Sequence, residues 1–512
     1  MKKLLTVLLC LALCISLSGC TSGISALQNG PSVTLPPASV SWKAPTGDIN
    51  QDLTQTVLLY LPDVTGTRLI AATEKITHSA ARHPAEETLR RLFASRGTID
   101  TQPLVSGSTL QLSSVNPVEI SGDTATVNLS TSALTLSHEE LYIACQAVAN
   151  TLCQWGDIRY VNILVNSSQP GLDVAASVPA GCFTQNLTDT IDTLTSYARS
   201  FSSLSADRRF SMPATLYYPT YSGKGILAET RTLNFASRSK SVLVETLLDA
   251  LSAGAQTLSD VPAVPSLAGY LSQEPAISDL AVTGGQHVVL RFRQSFNEAL
   301  ISAGIPRSVM MASLVYTITT FVPGVSGVTV YIGDELVTAV MPTGIYEGTG
   351  ETIAFEGGLM RRSGFTAFLL SNCTLYFASA DGKLVATERP IPYYQTRSAR
   401  YLINCLLQGP QPYDSVSGLT GILPNNLRDA DLLGIALQND RALINLSQHF
   451  KSACEGLDET AERLLIYGIV NTLTELPTVR TLAFFVADTQ VESLCGALYL
   501  PGEFMRNTTL VK

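Results

Sequence analysis

SHEELYIACQAVANTLCQWGDIRYVNILVN, residues 137–166, reads as a capped helix running into a strand. Ser137 and Glu140 have the spacing of a capping box, in which the serine oxygen takes a free backbone N–H and the glutamate reaches back to the cap. Leu141, Cys145, Val148 and Leu152 fall on one helical face. After a break at Trp155-Gly156-Asp157, residues 158–165 are rich in β-branched and aliphatic side chains and predict a strand. The unit returns as IPRSVMMASLVYTITTFVPGVSGVTVYIG at 305–333 and as DETAERLLIYGIVNTLTELPTVRTLAFFVAD at 458–488. Thr151, Thr317 and Thr472 share one register, 166 and 155 residues apart. A period this long indicates tandem domains, not a solenoid of short repeats.

Outward from these units the same order recurs. Each is preceded by a tyrosine strand, with Tyr60, Tyr217 and Tyr376 in register. A second extended segment follows, then a first helix. Its apolar stripe is Leu89, Leu92 and Phe93 in the first repeat and Val244, Leu247, Leu248 and Leu251 in the second. In the third it is Leu402, Ile403, Leu406 and Leu407, stopped by Gly409-Pro410. A strand pair comes next, its second member alternating in ATVNLS (125–130), VVLRFR (288–293) and ALINLS (442–447). The predicted fold class is therefore α+β: three tandem repeats, each a small mixed sheet packed against two helices in the order ββαββαβ.

The remaining chain is targeting and spacer sequence. Lys2-Lys3 and the apolar run 4–17 form a secretion signal, too short to span a bilayer of about 20 residues. It ends in Leu17-Ser18-Gly19-Cys20, a lipobox-like site where small residues precede the cleaved bond and the Cys20 thiol carries the lipid. The expected organisation is a signal peptide at 1–19, a Ser/Pro-rich tether at 20–50, and repeats at 51–186, 208–350 and 365–506. The polar or Gly-rich stretches 188–209 and 347–363 read as linkers. The formal charge of −9 repels phosphate backbones and argues against nucleic acid.

No catalytic or metal-binding pattern stands out. The five histidines are scattered, and there is no CxxC or zinc spacing. Ser237 and Lys240 match S-x-x-K without its partner motifs and stand where a helix begins. Glu139-Glu140 and Glu459 with Glu462 sit at helix starts, where acids favour the positive dipole end. Trp155 shares a register with Phe321 and Leu476 and reads as core. The seven cysteines after Cys20 read mostly as core thiols, with one disulfide left open.

The ordered set of Tyr60 and Tyr376, Leu406-Leu407 with Gly409-Pro410, residues 127–130 and 444–447, Thr151-Leu152 and Thr472-Leu473 resembles the GerMN domain family of sporulation and spore-germination lipoproteins. The second repeat departs from it, with Arg291-Phe292-Arg293 in place of Asn-Leu-Ser. The resemblance covers most of residues 51–505. It implies a ring-building-like fold and an assembly component, not an enzyme. The expected function is that of a membrane-anchored extracytoplasmic scaffold lipoprotein in sporulation or germination; an extracytoplasmic ligand-binding lipoprotein is the alternative. Expected partners are the membrane, through lipid on Cys20, and protein partners or further copies of the chain. Arg291 and Arg293 are the candidate interface residues, projecting together from one strand face. No cofactor, metal, nucleic acid or small-molecule substrate is expected.

Overall fold

The capping box forms as read: the Glu140 N–H donates to Ser137 Oγ at 3.2 Å, and the Ser137 N–H donates to Glu140 Oε2 at 2.9 Å. The structure, a computed structural model, describes residues 42–105, 110–172, 178–203, 205, 207–259, 261–280, 285–342 and 351–512. The signal peptide, Cys20 and most of the tether lie outside the described residues.

The chain enters through a short strand, β1 (Gly47–Asn50). The first segment then runs β2 (Asp52–Pro62), β3 (Leu69–Ser79), α1 (Ala85–Ala94), β4 (Val118–Ser121), β5 (Thr124–Leu129), α2 (His138–Leu152), β6 (Tyr160–Val165) and β7 (Cys182–Phe183). Helix α3 (Ile191–Ser202) follows. The second segment comprises β8 (Phe210–Pro219), β9 (Ile226–Phe235), α4 (Lys240–Ser252), the single turn α5 (Leu267–Tyr270), β10 (Ala276–Asp279), β11 (Gln286–Phe292), α6 (Phe296–Ser302), α7 (Arg307–Phe321), β12 (Val325–Ile332) and β13 (Glu335–Leu336). A two-residue pair, β14 (Ala339–Val340) with β15 (Ile353–Ala354), leads on. The third segment has β16 (Leu370–Ala378), β17 (Leu384–Pro392), α8 (Ala399–Leu407), β18 (Leu432–Gln438), β19 (Arg441–Leu446), α9 (Gln448–Ala453), α10 (Glu459–Leu473), β20 (Thr481–Val486) and β21 (Phe504–Met505).

Each segment holds two sheets where the sequence suggested one. The tyrosine strands form two-stranded sheets, β2 with β3, β8 with β9 and β16 with β17, and β16 adds a single bridge from Ala378 to Thr420. The remaining strands form separate mixed sheets, ordered β4-β5-β6-β7, β10-β11-β12-β13 and β1-β18-β19-β20-β21. In each, the central pair is parallel and joined across a helix, while the next pairings outward on either side are antiparallel.

The shared register of the tyrosines and threonines has a physical cause. A two-stranded hairpin leaves outward N–H groups on its edge, and a buried N–H must find an acceptor. Tyr60, Tyr217 and Tyr376 each donate that N–H to the hydroxyl of Thr151, Thr317 and Thr472 respectively, at 3.1 Å every time. All three threonines are fully buried. Thr472→Val keeps the shape and removes the acceptor, so it is expected to destabilise the protein by about 1–3 kcal/mol. A lowered urea midpoint, restored by Thr472→Ser, is the result to look for; an unchanged midpoint would mean that Tyr376 finds another acceptor.

A second recurrent device ties hairpin to helix. Arg231 on β9 donates to the carbonyls of Ala250 and Gly254 at the end of α4. Arg389 on β17 does the same to Cys405 and Gly409 after α8, where a cation suits the negative end of the helix dipole. Arg389 is also paired with Asp414 at 2.7 Å, both side chains being fully buried. In the first segment the same register position holds Glu74, which meets Arg91 on α1 at 2.8 Å.

Segments read as spacers turn out to be structural. Within 188–209, helix α3 buries Leu194 and Ala198 in the first core. Its Arg199 pairs with Glu139 on α2. Within 347–363, Met360 and Arg362 are buried, and the following Phe365 and Phe368 join the second core. Residues 47–50 belong to a strand, not a tether: β1 runs parallel to β18, Gly47 opposite Gly434. A Cβ at Gly434 would collide with the Pro45 carbonyl oxygen, so a glycine is needed where this backbone docks.

The segments are joined by buried polar contacts. Thr124 and Thr126 on β5 meet Thr230 and the Tyr217 hydroxyl, and Asn162 on β6 donates to Thr215 at 2.8 Å. Glu119 on β4 receives Arg362 at 2.5 Å and the Tyr316 hydroxyl at 3.0 Å, bringing first and second segments together with the run that leads into the third.

Candidate functional site

Arg291 and Arg293 are held differently. The Arg291 guanidinium lies 3.9 Å over the ring of Tyr331, its neighbour across β11 and β12. Arg293 is exposed and donates to the Gly269 carbonyl at 3.2 Å. Phe292 between them is buried, so both lie on the opposite face from it. Among the described residues neither forms an ion pair.

The asparagines that Arg291 replaces are structural. Asn128 takes the Ser167 N–H and donates to the Val115 carbonyl. Asn445 takes the Asp488 N–H and donates to the Pro45 carbonyl. Ser167 and Asp488 have positive φ, at turns that each asparagine clamps.

The remaining nominated groups are also engaged in the fold. Glu462 is buried and receives the N–H groups of Cys495 and Ala497; Asp458, not a glutamate, caps α10. Ser237 takes the Ser239 N–H, while Lys240 reaches Gln286 at 2.7 Å. The seven described cysteines are free, so the disulfide left open by the sequence does not form. Burial pushes the Cys405 thiol up to about 11 and that of Cys182 up to about 12, away from reactive thiolate. Among the described residues no cluster of His, Cys, Asp and Glu is placed to hold a metal. No single helix among them is long and apolar enough to cross a membrane.

The site that geometry builds is a cleft of about 1080 Å³ between the first and third segments, all within residues 44–512. On one wall β3, the start of α1 and the turn after α2 contribute His78, His83, Trp155 and Asp157; on the other, the turn after β17 contributes Tyr393, Tyr394 and Arg397. Trp155 packs against the first core, as its register predicts, but is less buried than Phe321 and Leu476. It is half-buried and meets the edge of His83, ring centroids 5.4 Å apart.

His83 accepts the Ala85 N–H on Nδ1 at 3.1 Å, so its Nε2–H faces Asp157 at 3.2 Å. Burial lowers the His83 pKa, against the pull of the Asp157 bond. Burial works to raise the Asp157 pKa, but the His83 bond and the Arg397 charge outweigh it and bring it down to about 2. Arg397 completes the row at 3.3 Å from Asp157 and bridges the two segments. His83, Asp157 and Arg397 are far apart in sequence and share no spacing, so no motif announced them.

Comparison with known proteins finds matches to parts of the first and third segments. Residues 58–170 and 374–492 match the Germane family, described as sporulation and spore germination. Among solved structures, the tandem GerMN domains of the sporulation protein GerM from Bacillus subtilis are similar at 17% identity, over 59% of this chain and 100% of that one, with a TM-score of 0.22. A putative lipoprotein from Clostridium perfringens is similar at 27% identity, over 27% of this chain and 89% of that one, with a TM-score of 0.19. The first GerMN domain of the same Bacillus subtilis protein is similar at 15% identity, over 27% and 98%, with a TM-score of 0.22. No curated protein matches the chain.

Proposed function

We propose, since the chain carries Germane domains of sporulation and spore germination at residues 58–170 and 374–492, that it is a membrane-anchored scaffold of one of these processes, facing the extracytoplasmic side and without enzymatic activity. Lipid on Cys20 is the anchor. The body is three GerMN-like modules, at 51–186, 208–350 and 365–506, the middle one diverged.

The tyrosine-to-threonine bond carries this reading. It recurs at Tyr217 and Thr317, outside the matched segments, which supports a third module there. The recurrent polar groups, the threonines and the clamping asparagines, all close onto backbone. Such groups fix a shape. Exposed Arg293, beside Arg291, gives the acidic protein a basic spot suited to an acidic partner face or a second copy.

One set of strains tests the reading. Metabolic labelling with a clickable fatty acid is expected to mark the wild type and not Cys20→Ala; equal label would remove the anchor. The unlipidated Cys20→Ala chain is expected to self-associate at low salt in sedimentation velocity. Adding Arg291→Glu and Arg293→Glu is expected to weaken that association. A folded charge-reversed chain that associates unchanged would take the arginines out of the interface. Turnover of peptidoglycan abolished by one cleft mutation would overturn the non-enzymatic assignment.

A further inference from the structure

We propose that Cys454 and Cys495 form a redox-responsive pair: a disulfide oxidant joins them, and the new bond staples the loop after β20 to the third core. The inference concerns the chain's own thiols and does not depend on the scaffold role.

Two separate elements hold the sulfurs side by side. Cys454 directly follows α9 and is fully buried. Cys495 lies in the loop between β20 and β21 and is partly exposed. The Cys495 Sγ–H donates to the Cys454 carbonyl at 2.8 Å, and the two thiols are also in side-chain hydrogen-bond contact. The loop is anchored at this point. The N–H groups of Cys495 and Ala497 donate to the Glu462 carboxylate on α10, at 2.9 and 2.7 Å, and Leu494 and Leu500 are buried. A disulfide forms without backbone movement only where two cysteines already face each other at close range. In the closure, the Cys495 side chain turns from the carbonyl to the neighbouring sulfur.

Exposure sets the order of events. The Cys495 thiolate attacks one sulfur of a small disulfide, such as oxidised glutathione, and the first glutathione leaves. A mixed disulfide remains on Cys495. The Cys454 sulfur then attacks the Cys495 sulfur and expels the second glutathione. Two protein thiols are oxidised and one small disulfide is reduced, and the two thiol protons end on the released glutathiones. Burial raises the Cys495 thiol pKa and pushes that of Cys454 up to about 12, so exchange is slow at neutral pH. In an oxidising compartment the pair closes, and in a reducing one it stays as the thiols seen here. The closed bond encircles α10 and β20 and restricts the unfolded chain more than the folded one.

The detergent-solubilised full chain is incubated with oxidised glutathione in mildly alkaline buffer. Remaining thiols are blocked with iodoacetamide, and the chain is digested with trypsin without reductant. Cleavage after Lys451, Arg463, Arg480 and Arg506 leaves each cysteine alone in its own peptide, 452–463 and 481–506. The two peptides are expected to be recovered joined, and to separate on reduction. The urea midpoint of the oxidised chain is expected to lie above that of the reduced chain. Cys495→Ser keeps a donor for the Cys454 carbonyl but removes the sulfur, so oxidation is expected to leave its midpoint unmoved. Peptides recovered apart, or joined to other cysteine peptides instead, would overturn the proposal. So would joined peptides with an unmoved midpoint, or an equal rise in Cys495→Ser.

Discussion

Arg362→Ala is expected to lower the free energy of unfolding by about 3–5 kcal/mol, the cost of breaking a buried ion pair from one side. Arg362 is 3% exposed and Glu119 2%, with 2.5 Å between Nη2 and Oε2. Removing the guanidinium leaves the Glu119 carboxylate in a dry site with only the Tyr316 hydroxyl and the Asn116 amide for company. It also takes the donor from Thr320 and the cation from above the Tyr316 ring, 3.9 Å away. Because Glu119, Tyr316 and Arg362 come from different parts of the chain, the loss loosens segment against segment. Urea unfolding followed by near-UV circular dichroism measures it. The paired replacement Arg362→Met with Glu119→Leu is expected to regain much of the loss, since two apolar side chains leave no charge unmatched. Similar midpoints for wild type and Arg362→Ala would show that the pair is not buried as described.

Leu473→Ala and Leu152→Ala are each expected to cost about 2–5 kcal/mol, the range for deleting a buried leucine side chain. Both leucines are completely buried, on α10 and α2, immediately after the threonine that takes the tyrosine N–H. That bond holds the hairpin at a fixed distance from the helix, so the cavity collapses poorly and the cost falls in the upper part of the range. Lowered midpoints in the full chain, unaffected by salt, are the expected signature. Leu473→Met, which nearly conserves volume, is expected to lose less than about 1.5 kcal/mol.

The helix His138–Leu152 was legible because every local signal agreed: cap, apolar stripe, then a strand of β-branched residues. The register of Tyr60 with Thr151 was legible as repetition, but not as a bond, since nothing in a sequence period says which repeated polar groups meet. Splitting each sheet in two was not legible, because strand propensity is blind to which neighbour a strand chooses. Helix α3 was legible in principle: Ile191, Leu194, Ala198 and Phe201 have helical spacing, but the surrounding Ser and Thr residues read as a linker. Strand β1, GDIN, has almost no strand character of its own and owes its state to β18. The cleft draws His83, Asp157 and Arg397 from three separate places, and only folding brings them together.

Strand β1 lies 387 residues ahead of its partner, Gly47 facing Gly434. On a ribosome adding ~5–20 residues per second, β1 waits roughly 20–80 s before β18 exists. The third segment is last to emerge, and until β1 returns to it the backbone edge of β18 stays open to pairing. The third sheet is therefore completed by a strand made long before its other members. A nascent chain halted before residue 432 leaves β1 with no edge to join.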